Sequence, residues 1–268
     1  MLPNFLIIGA PRAGTTWISK NISLHPDIYM PKLKEIHYFD RHYDEGIGYY
    51  EEYFTGYGNE KMIGEATPAY LFTQKVPELI KKDLGNIKLI VSLRNPVERL
   101  YSRYWNAKGK YIENKDLSFE EKIKAKPLFI EEGFYYDHLM RYLASFPPEN
   151  ILFLLFDDIK KDSKTFLASI YDFLDVDTEF TSPLIDKKIN TSSSKKMLAK
   201  SRNLWYLQKM VEKLGVAKLM EWLKTINEPK IPTMNPKTKR WLVDEVYRGR
   251  NYQLEQLIGR DLNHWNKI

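Results

Sequence analysis

Apolar positions in this chain fall into short runs separated by longer amphipathic stretches. The runs lie at residues 5–8 (FLII), 62–63 (MI), 88–93 (KLIVSL) and 151–156 (ILFLLF). Runs this short, ending in Gly, Pro or Asp, predict strands buried on both faces. Between them, apolar residues recur at helical spacing. This predicts helices at about 15–24, 77–84, 96–107, 135–146 and 163–174. Strands alternating with helices predict an α/β fold, a three-layer sandwich around a central, mostly parallel sheet. In such sheets ligands bind beyond the carboxyl ends of the strands. The loops after Ile8, Ile63, Leu93 and Phe156 are therefore expected to share one edge.

The pattern changes after residue 182. Residues 187–202 are basic and Ser-rich. Two helical patterns follow, at about 204–214 and 216–226, then a Pro-punctuated link at 229–236. Asn235-Pro236 is a good cap and first position for a last helix running to about Leu257. With no repeat and no long linker, the expectation is one domain over 1–268, its helical C-terminal section starting near 195. Plain core is the first reading of helices 204–226; a lid or a homodimer contact are the alternatives.

Composition narrows the function classes. The chain has 268 residues, 43% of them apolar, enough for a sizeable core. It has no Cys, which excludes disulfides and thiolate metal sites and fits a reducing compartment. No apolar run approaches the roughly 20 residues of a membrane span, and the start lacks a secretion-signal pattern. A cytoplasmic location is expected. Lys and Arg total 41 against 35 acids, a net charge of +6. That surplus favours an anionic ligand. The basic residues are dispersed and match no nucleic-acid recognition motif, so nucleic acid is not expected as a partner.

Three segments carry candidate chemistry. The first is GAPRAGTTW, residues 9–17, placed between a strand and a helix. Gly9 and Gly14 have the spacing of a phosphate-binding loop, but Thr15 stands where a nucleotide kinase needs Lys. The cation has moved inside the loop, to Arg12. The N–H groups of Gly14, Thr15 and Thr16 would face an anion at a helix N-terminus. The second segment is LRNPVERLYSR, residues 93–103. Arg94 ends a strand, and Ser102 lies two turns into the next helix, on the face of Glu98 and Arg99. Arg94 and Ser102 are placed to grip a second phosphate, whereas Arg99 and Arg103 read as ion-pairing surface residues. The third is KEIHYFD, residues 34–40. Glu35 and His37 flank one apolar residue, so in an extended chain both point the same way and could supply a general base; on spacing alone, a surface Glu and a hydrogen-bonded structural His are the favoured reading.

Together these segments resemble the sulfotransferases that use 3′-phosphoadenosine 5′-phosphosulfate (PAPS). Residues 9–17 look like their 5′-phosphosulfate loop, and residues 93–102 like their 3′-phosphate motif. Between them LHPD (24–27), KEIHYFD (34–40) and GEATPAY (64–70) resemble the heparan-sulfate branch, in the same order. LIGRDLNHW (257–265) resembles a C-terminal signature of bacterial members. The resemblance implies that Arg12, Ala13, Gly14, Thr15, Thr16 and Trp17 hold the 5′-phosphosulfate and Arg94 and Ser102 the 3′-phosphate. It implies Glu35 as catalytic base, His37 as its neighbour, and Lys195 and Lys196 in a loop closing over the nucleotide. The product is then 3′-phosphoadenosine 5′-phosphate (PAP), and no metal is needed.

Two departures from the pattern matter. Arg12 stands where many relatives have Lys; either cation stabilises charge on the leaving oxygen, with different geometry. Ala66 replaces a Lys of the heparan-sulfate branch, which argues against a glycosaminoglycan acceptor. The Tyr-rich segment 43–57 suits a small organic or glycosidic acceptor, although packing explains most of these Tyr equally well. Two rival functions are a kinase with an atypical loop, disfavoured by the missing Lys, and a non-catalytic module binding nucleotide or polyanion.

Overall fold

The computed structural model describes residues 1–110, 117–187 and 231–268, with isolated positions between 206 and 219. Five parallel strands form one sheet: β1 (Phe5–Gly9), β2 (Ile28–Tyr29), β3 (Met62–Ala66), β4 (Lys88–Leu93) and β5 (Ile151–Leu155), in the order β2-β3-β1-β4-β5. β1 lies at the centre, with Leu6 opposite Glu65 on one side and Leu89 on the other. From β1 the chain crosses to the edge strand β2, returns to β3 beside β1, and then passes to the other side through β4 and β5. That reversal opens a crevice at the carboxyl end of β1.

Side chains of β1 alternate between the two faces, as the pleat requires. Leu6 and Ile8 enter a core with Leu89, Val91, Leu139 and Tyr142. Phe5 and Ile7 enter the opposite core with Ile18, Phe166 and Ile170. The first face is covered by helices Val76–Leu84 and Tyr135–Ser145, the second by α1 (Thr15–Ile22) and helix Ser163–Phe173. The expected three-layer sandwich and the shared edge of strand-end loops are both present.

The departures are local. β2 has two residues and was not expected; nothing in so short a run marks a strand. β3 extends to Ala66 and takes in the buried Glu65. β5 stops at Leu155, and Phe156–Lys161 is a short helix, so the aromatic at 156 leaves the sheet. The last helical stretch is broken into Pro236–Trp241, a π-helical segment Leu242–Tyr247 and Arg248–Ile258. Its start is as expected: the Asn235 side chain accepts from the Lys237 N–H at 2.9 Å. Lys195 and Lys196 lie outside the described residues, and the patterns at 204–226 fall almost wholly outside them.

Candidate functional site

The crevice at the end of β1 is filled by the loop 10–14. Two contacts tie it to β4: the Ala10 N–H donates to Ser92 O at 2.7 Å, and the buried Ser92 Oγ donates to Ala13 O at 2.6 Å. Gly14 has φ +85, and α1 begins at the next residue, where Gly14 O accepts from the N–H groups of Trp17 and Ile18. A Cβ at position 14 would stand 2.8 Å from the Phe156 ring. Glycine thus supplies both the left-handed turn and the close approach to Phe156. The N–H groups of Thr15 and Thr16, at the very start of α1, precede these bonds and have no acceptor within the helix, which makes a ready anion site.

Arg12 reaches across this loop to the second motif. Its Nε donates to Ser102 Oγ at 3.0 Å and its Nη1 to Asn106 Oδ1 at 3.4 Å. Ser102 and Asn106 are one turn apart on helix Pro96–Lys110. Arg94 donates from Nη1 to Arg12 O at 3.3 Å and from Nη2 to Glu98 Oε2 at 2.9 Å. Its guanidinium lies 4.9 Å from the centre of the Phe156 ring. Burial lowers the Arg12 pKa from its ordinary value. The positive charges of Arg94 and Arg103 lower it further, and the charge of Glu35 partly restores it. Crowded cations at a helix N-terminus make a region of positive potential. A cavity of about 520 Å³ opens here, with Arg12, Thr15, Thr16, Arg94, Phe156 and Lys160 among its lining residues, and Trp17 and Lys187 also part of the lining. Ala13 is fully buried and does not line it.

The third motif follows the edge of β3. The Glu35 N–H donates to Ala66 O at 3.1 Å, and the His37 N–H to Thr67 Oγ1 at 3.3 Å. The extended conformation expected for this segment is not what forms. Glu35 has φ +64 and His37 φ +60, and a short helix, Tyr38–Arg41, starts at once. Two left-handed residues turn the chain so that it caps β3, and the side chains still converge. His37 Nε2 is 3.8 Å from Glu35 Oε2, a charge contact longer than a hydrogen bond. Lys34 Nζ is 2.8 Å from the other Glu35 oxygen. His37 Nδ1 lies 3.1 and 3.0 Å from the two oxygens of Asp40. The His37 ring, followed by Lys34, outweighs burial and holds the Glu35 carboxyl down to about 2. Asp40 and then Glu35 raise His37 to about 9. At neutral pH the Glu35–His37 pair is therefore a carboxylate beside an imidazolium.

Arg99 is corrected. It pairs, as expected, but not at the surface. It is fully buried, with Nη1 2.9 Å from Glu132 Oε2 and Nη2 donating to Phe129 O at 3.0 Å. Arg103 joins the same carboxylate at 3.0 Å. The Tyr-rich segment mostly packs: Tyr50 and Phe54 are fully buried, and Tyr38 stacks on Tyr50 at 4.5 Å. Sequence reasoning missed Asp40, Thr67, Asn106 and Lys160. Asn106 was open to detection four residues beyond Ser102, and Asp40 three beyond His37. Thr67 and Lys160 act through tertiary contacts that no local spacing marks. Among the described residues no group of three His, Asp or Glu is placed to hold a metal ion.

Known proteins fit this geometry. A family model described as "Sulfotransferase domain" matches residues 2–254. Over 106 residues the chain is 42% identical to the membrane-associated sulfotransferase kil1 of Dictyostelium discoideum, covering 38% of this chain and 22% of the relative. Over 180 residues it is 31% identical to human heparan sulfate glucosamine 3-O-sulfotransferase 3B1, covering 65% of this chain and 46% of the relative. The chain thus spans less than half the length of these curated relatives. A sulfotransferase structure from Alicyclobacillus acidocaldarius superposes with a TM-score of 0.75 at 25% identity, with both chains fully covered. With a matching family model over nearly the whole chain and both anion motifs at one crevice, this chain belongs to the sulfotransferase domain family.

Proposed function

We propose that this chain transfers the sulfuryl group of PAPS to a hydroxyl or amine of a small-molecule or glycosidic acceptor. The observation that carries this is the Arg12–Ser102 hydrogen bond of 3.0 Å, which joins the two anion motifs over one cavity. The residues fit the nucleotide. The N–H groups after Gly14, with the Thr15 and Thr16 hydroxyls, suit the 5′ end. Arg94 and Ser102 suit the 3′-phosphate, and Trp17 and Phe156 offer aromatic surface to the base. The cradle is one that a Cβ on Gly14 would disturb.

In this reading Glu35, ionised at neutral pH, accepts the proton of the acceptor hydroxyl or amine. The freed lone pair forms the new bond to sulfur. The old bond from sulfur to the 5′-phosphate oxygen breaks, and its electron pair leaves on that oxygen. Arg12 and the loop N–H groups hold the charge gathering there. His37, pinned by Asp40, keeps Glu35 oriented. Low basicity is no obstacle, because acceptor binding would strip water from Glu35 and raise its proton affinity.

Curated relatives are named for heparan sulfate. Ala66, buried at the end of β3 and only 2% exposed, brings no cation there. A compact acceptor is therefore proposed over a long polyanion. A single domain over 1–268 and a cytoplasmic location belong to the same proposal, the latter resting on the Cys-free composition.

Ligand-induced stabilisation tests the reading. At 100 times its Kd, PAP should add about 2.7 kcal/mol and raise Tm by several degrees. ATP with magnesium should do neither. The opposite result favours a kinase. PAP binding without transfer of labelled sulfate to any acceptor in a broad panel favours a binding module.

A further inference from the structure

The C-terminal signature lies behind the nucleotide cavity and touches both of its walls. Helix Arg248–Ile258 ends at Gly259, in a left-handed conformation, and residues Asn263–Asn266 form a tight turn. Trp265 is 1% exposed, and its Nε1 donates to Asp157 Oδ2 at 3.0 Å. His264 Nε2 lies 3.1 Å from the same oxygen, and Arg260 Nη2 donates to Asp158 Oδ2 at 2.7 Å. Asp157 and Asp158 belong to the short helix that presents Phe156 and Lys160 to the cavity. On the other wall, Asn95 Nδ2 donates to Trp265 O at 3.2 Å. The Tyr135 ring packs against Trp265, and its hydroxyl donates to Arg94 O at 2.9 Å.

One turn of chain is thus bonded to the residue after Phe156, to the residue after Arg94, and through Tyr135 to Arg94 itself. None of residues 260–265 lines the cavity. Simple burial of an indole needs a partner for its N–H, but not one shared with His264 and backed by a second tether at the opposite wall.

We infer that Asp157 and Trp265 are positioning residues for the nucleotide site. They hold Arg94 and the Phe156–Lys160 helix in their mutual placement, with the Arg94 guanidinium over the Phe156 ring, without touching the ligand. The inference rests on the nucleotide reading of that cavity. The cost of loosening it falls on nucleotide affinity, and the proton transfer at Glu35, which does not line the cavity, is spared.

The experiment compares wild type with D157A, D157N and W265F, using PAP titration calorimetry well below each Tm and steady-state kinetics with varied PAPS. Losing hydrogen bonds to a charged acceptor corresponds to a roughly ten-fold effect, so D157A should raise the PAP Kd and the PAPS KM about ten-fold. Its kcat at saturating PAPS should stay within about two-fold of wild type. W265F, which keeps an aromatic ring but loses the N–H and part of the indole volume, should move the same way by less. D157N retains an acceptor oxygen and should recover part of the affinity. If D157A does not fold, W265F and D157N decide the matter. A folded W265F and D157A that bind PAP like wild type, or that lose kcat with KM unchanged, overturn the tether. Wild type that fails to bind PAP overturns the nucleotide reading and this inference with it.

Discussion

Arg12 Nε donates to Ser102 Oγ at 3.0 Å, although 90 positions separate them in the chain. The bond aims the loop's one cation by means of a helix from the other motif. Under the proposed function, removing either partner should therefore disturb both phosphate ends. Ser102→Ala should raise the PAPS KM about ten-fold and lower kcat a few-fold, the scale of a lost charge-assisted hydrogen bond. Arg12→Ala should lower kcat by about 10² to 10³, the usual effect of losing a donor to developing charge. Arg12→Lys should fall between, because it keeps charge but cannot reach Ser102 and Asn106 together. Steady-state kinetics decide; wild-type kcat in Arg12→Ala would remove Arg12 from the reaction.

Gly14 resists a side chain both by its backbone conformation and by crowding. Its φ is +85, and an added Cβ would meet Phe156 at 2.8 Å and Ile159 at 3.0 Å. Gly14→Ala should lower stability by about 1–3 kcal/mol through backbone strain and crowding. It should also push Phe156 into the cavity. The PAP-induced rise in Tm should then disappear even at temperatures where the variant is folded. A variant with lowered Tm and an undiminished PAP shift would show that the Phe156 wall is not part of the site.

Much of this was legible in sequence because it is local. The strand runs around Ile7 and Ile90 and the spacing of Gly9, Gly14 and Arg94 each state their role within a dozen residues. What escaped depends on tertiary contact. Arg99 is buried only because Glu132 and the Phe129 carbonyl arrive from 30 or more residues away. Glu35 and His37 come together through two left-handed residues, a conformation that non-glycine side chains rarely adopt and no pattern announces. The short helix at Phe156 replaced an expected strand end because apolar content alone does not separate the two.

The base assignment has its own outcome. Glu35 is ionised at neutral pH and about half exposed, with Lys34 and His37 beside it. Glu35→Gln keeps the size of the side chain and removes the proton acceptor. Turnover should fall by about 10² to 10⁴, the typical range for general-base catalysis. The PAP Kd should stay within about two-fold, since Glu35 does not line the cavity. Near-normal turnover in Glu35→Gln would remove it as the base.

Stability should depend on pH in two directions at this site. Glu35 falls from 4.5 to about 2 on folding, so its contribution is complete above about 4.5 and is lost as pH falls toward 2. His37 rises from 6.5 to about 9, so its contribution is complete below 6.5 and is lost as pH rises through 9. Asp40, Glu35 and Arg41 are the charges that act on His37. Both contributions are therefore whole only between about pH 4.5 and 6.5. His37→Asn should flatten the decline in Tm between pH 6.5 and 9.5 relative to wild type. Thermal melts across that window check it; parallel curves for the two proteins would mean that His37 carries no folded-state proton at high pH.

Beneath the site lies a carboxylate with no solvent contact. Glu65 is 0% exposed, and burial pushes its carboxyl up. It accepts from Tyr50 OH at 3.1 Å and from Thr67 Oγ1 at 2.7 Å. Thr67 Oγ1 in turn accepts from the His37 N–H. The buried core of the sheet is thus hydrogen-bonded, in two steps, to the backbone that holds His37 in its left-handed conformation. Glu65→Ala would leave two buried hydroxyls without an acceptor and open a cavity, costing about 3 kcal/mol or more. Glu65→Gln keeps the volume and one acceptor oxygen and should cost about 1 kcal/mol. Thr67→Val should leave Tyr50 and Glu65 paired, and it removes both the Thr67 bond to Glu65 and the link to His37. Its kcat should fall while PAP affinity holds, because no residue of this chain of contacts lines the cavity. Denaturant unfolding and kinetics on the three variants separate the roles. Wild-type kcat in Thr67→Val would mean that His37 is held by Asp40 alone.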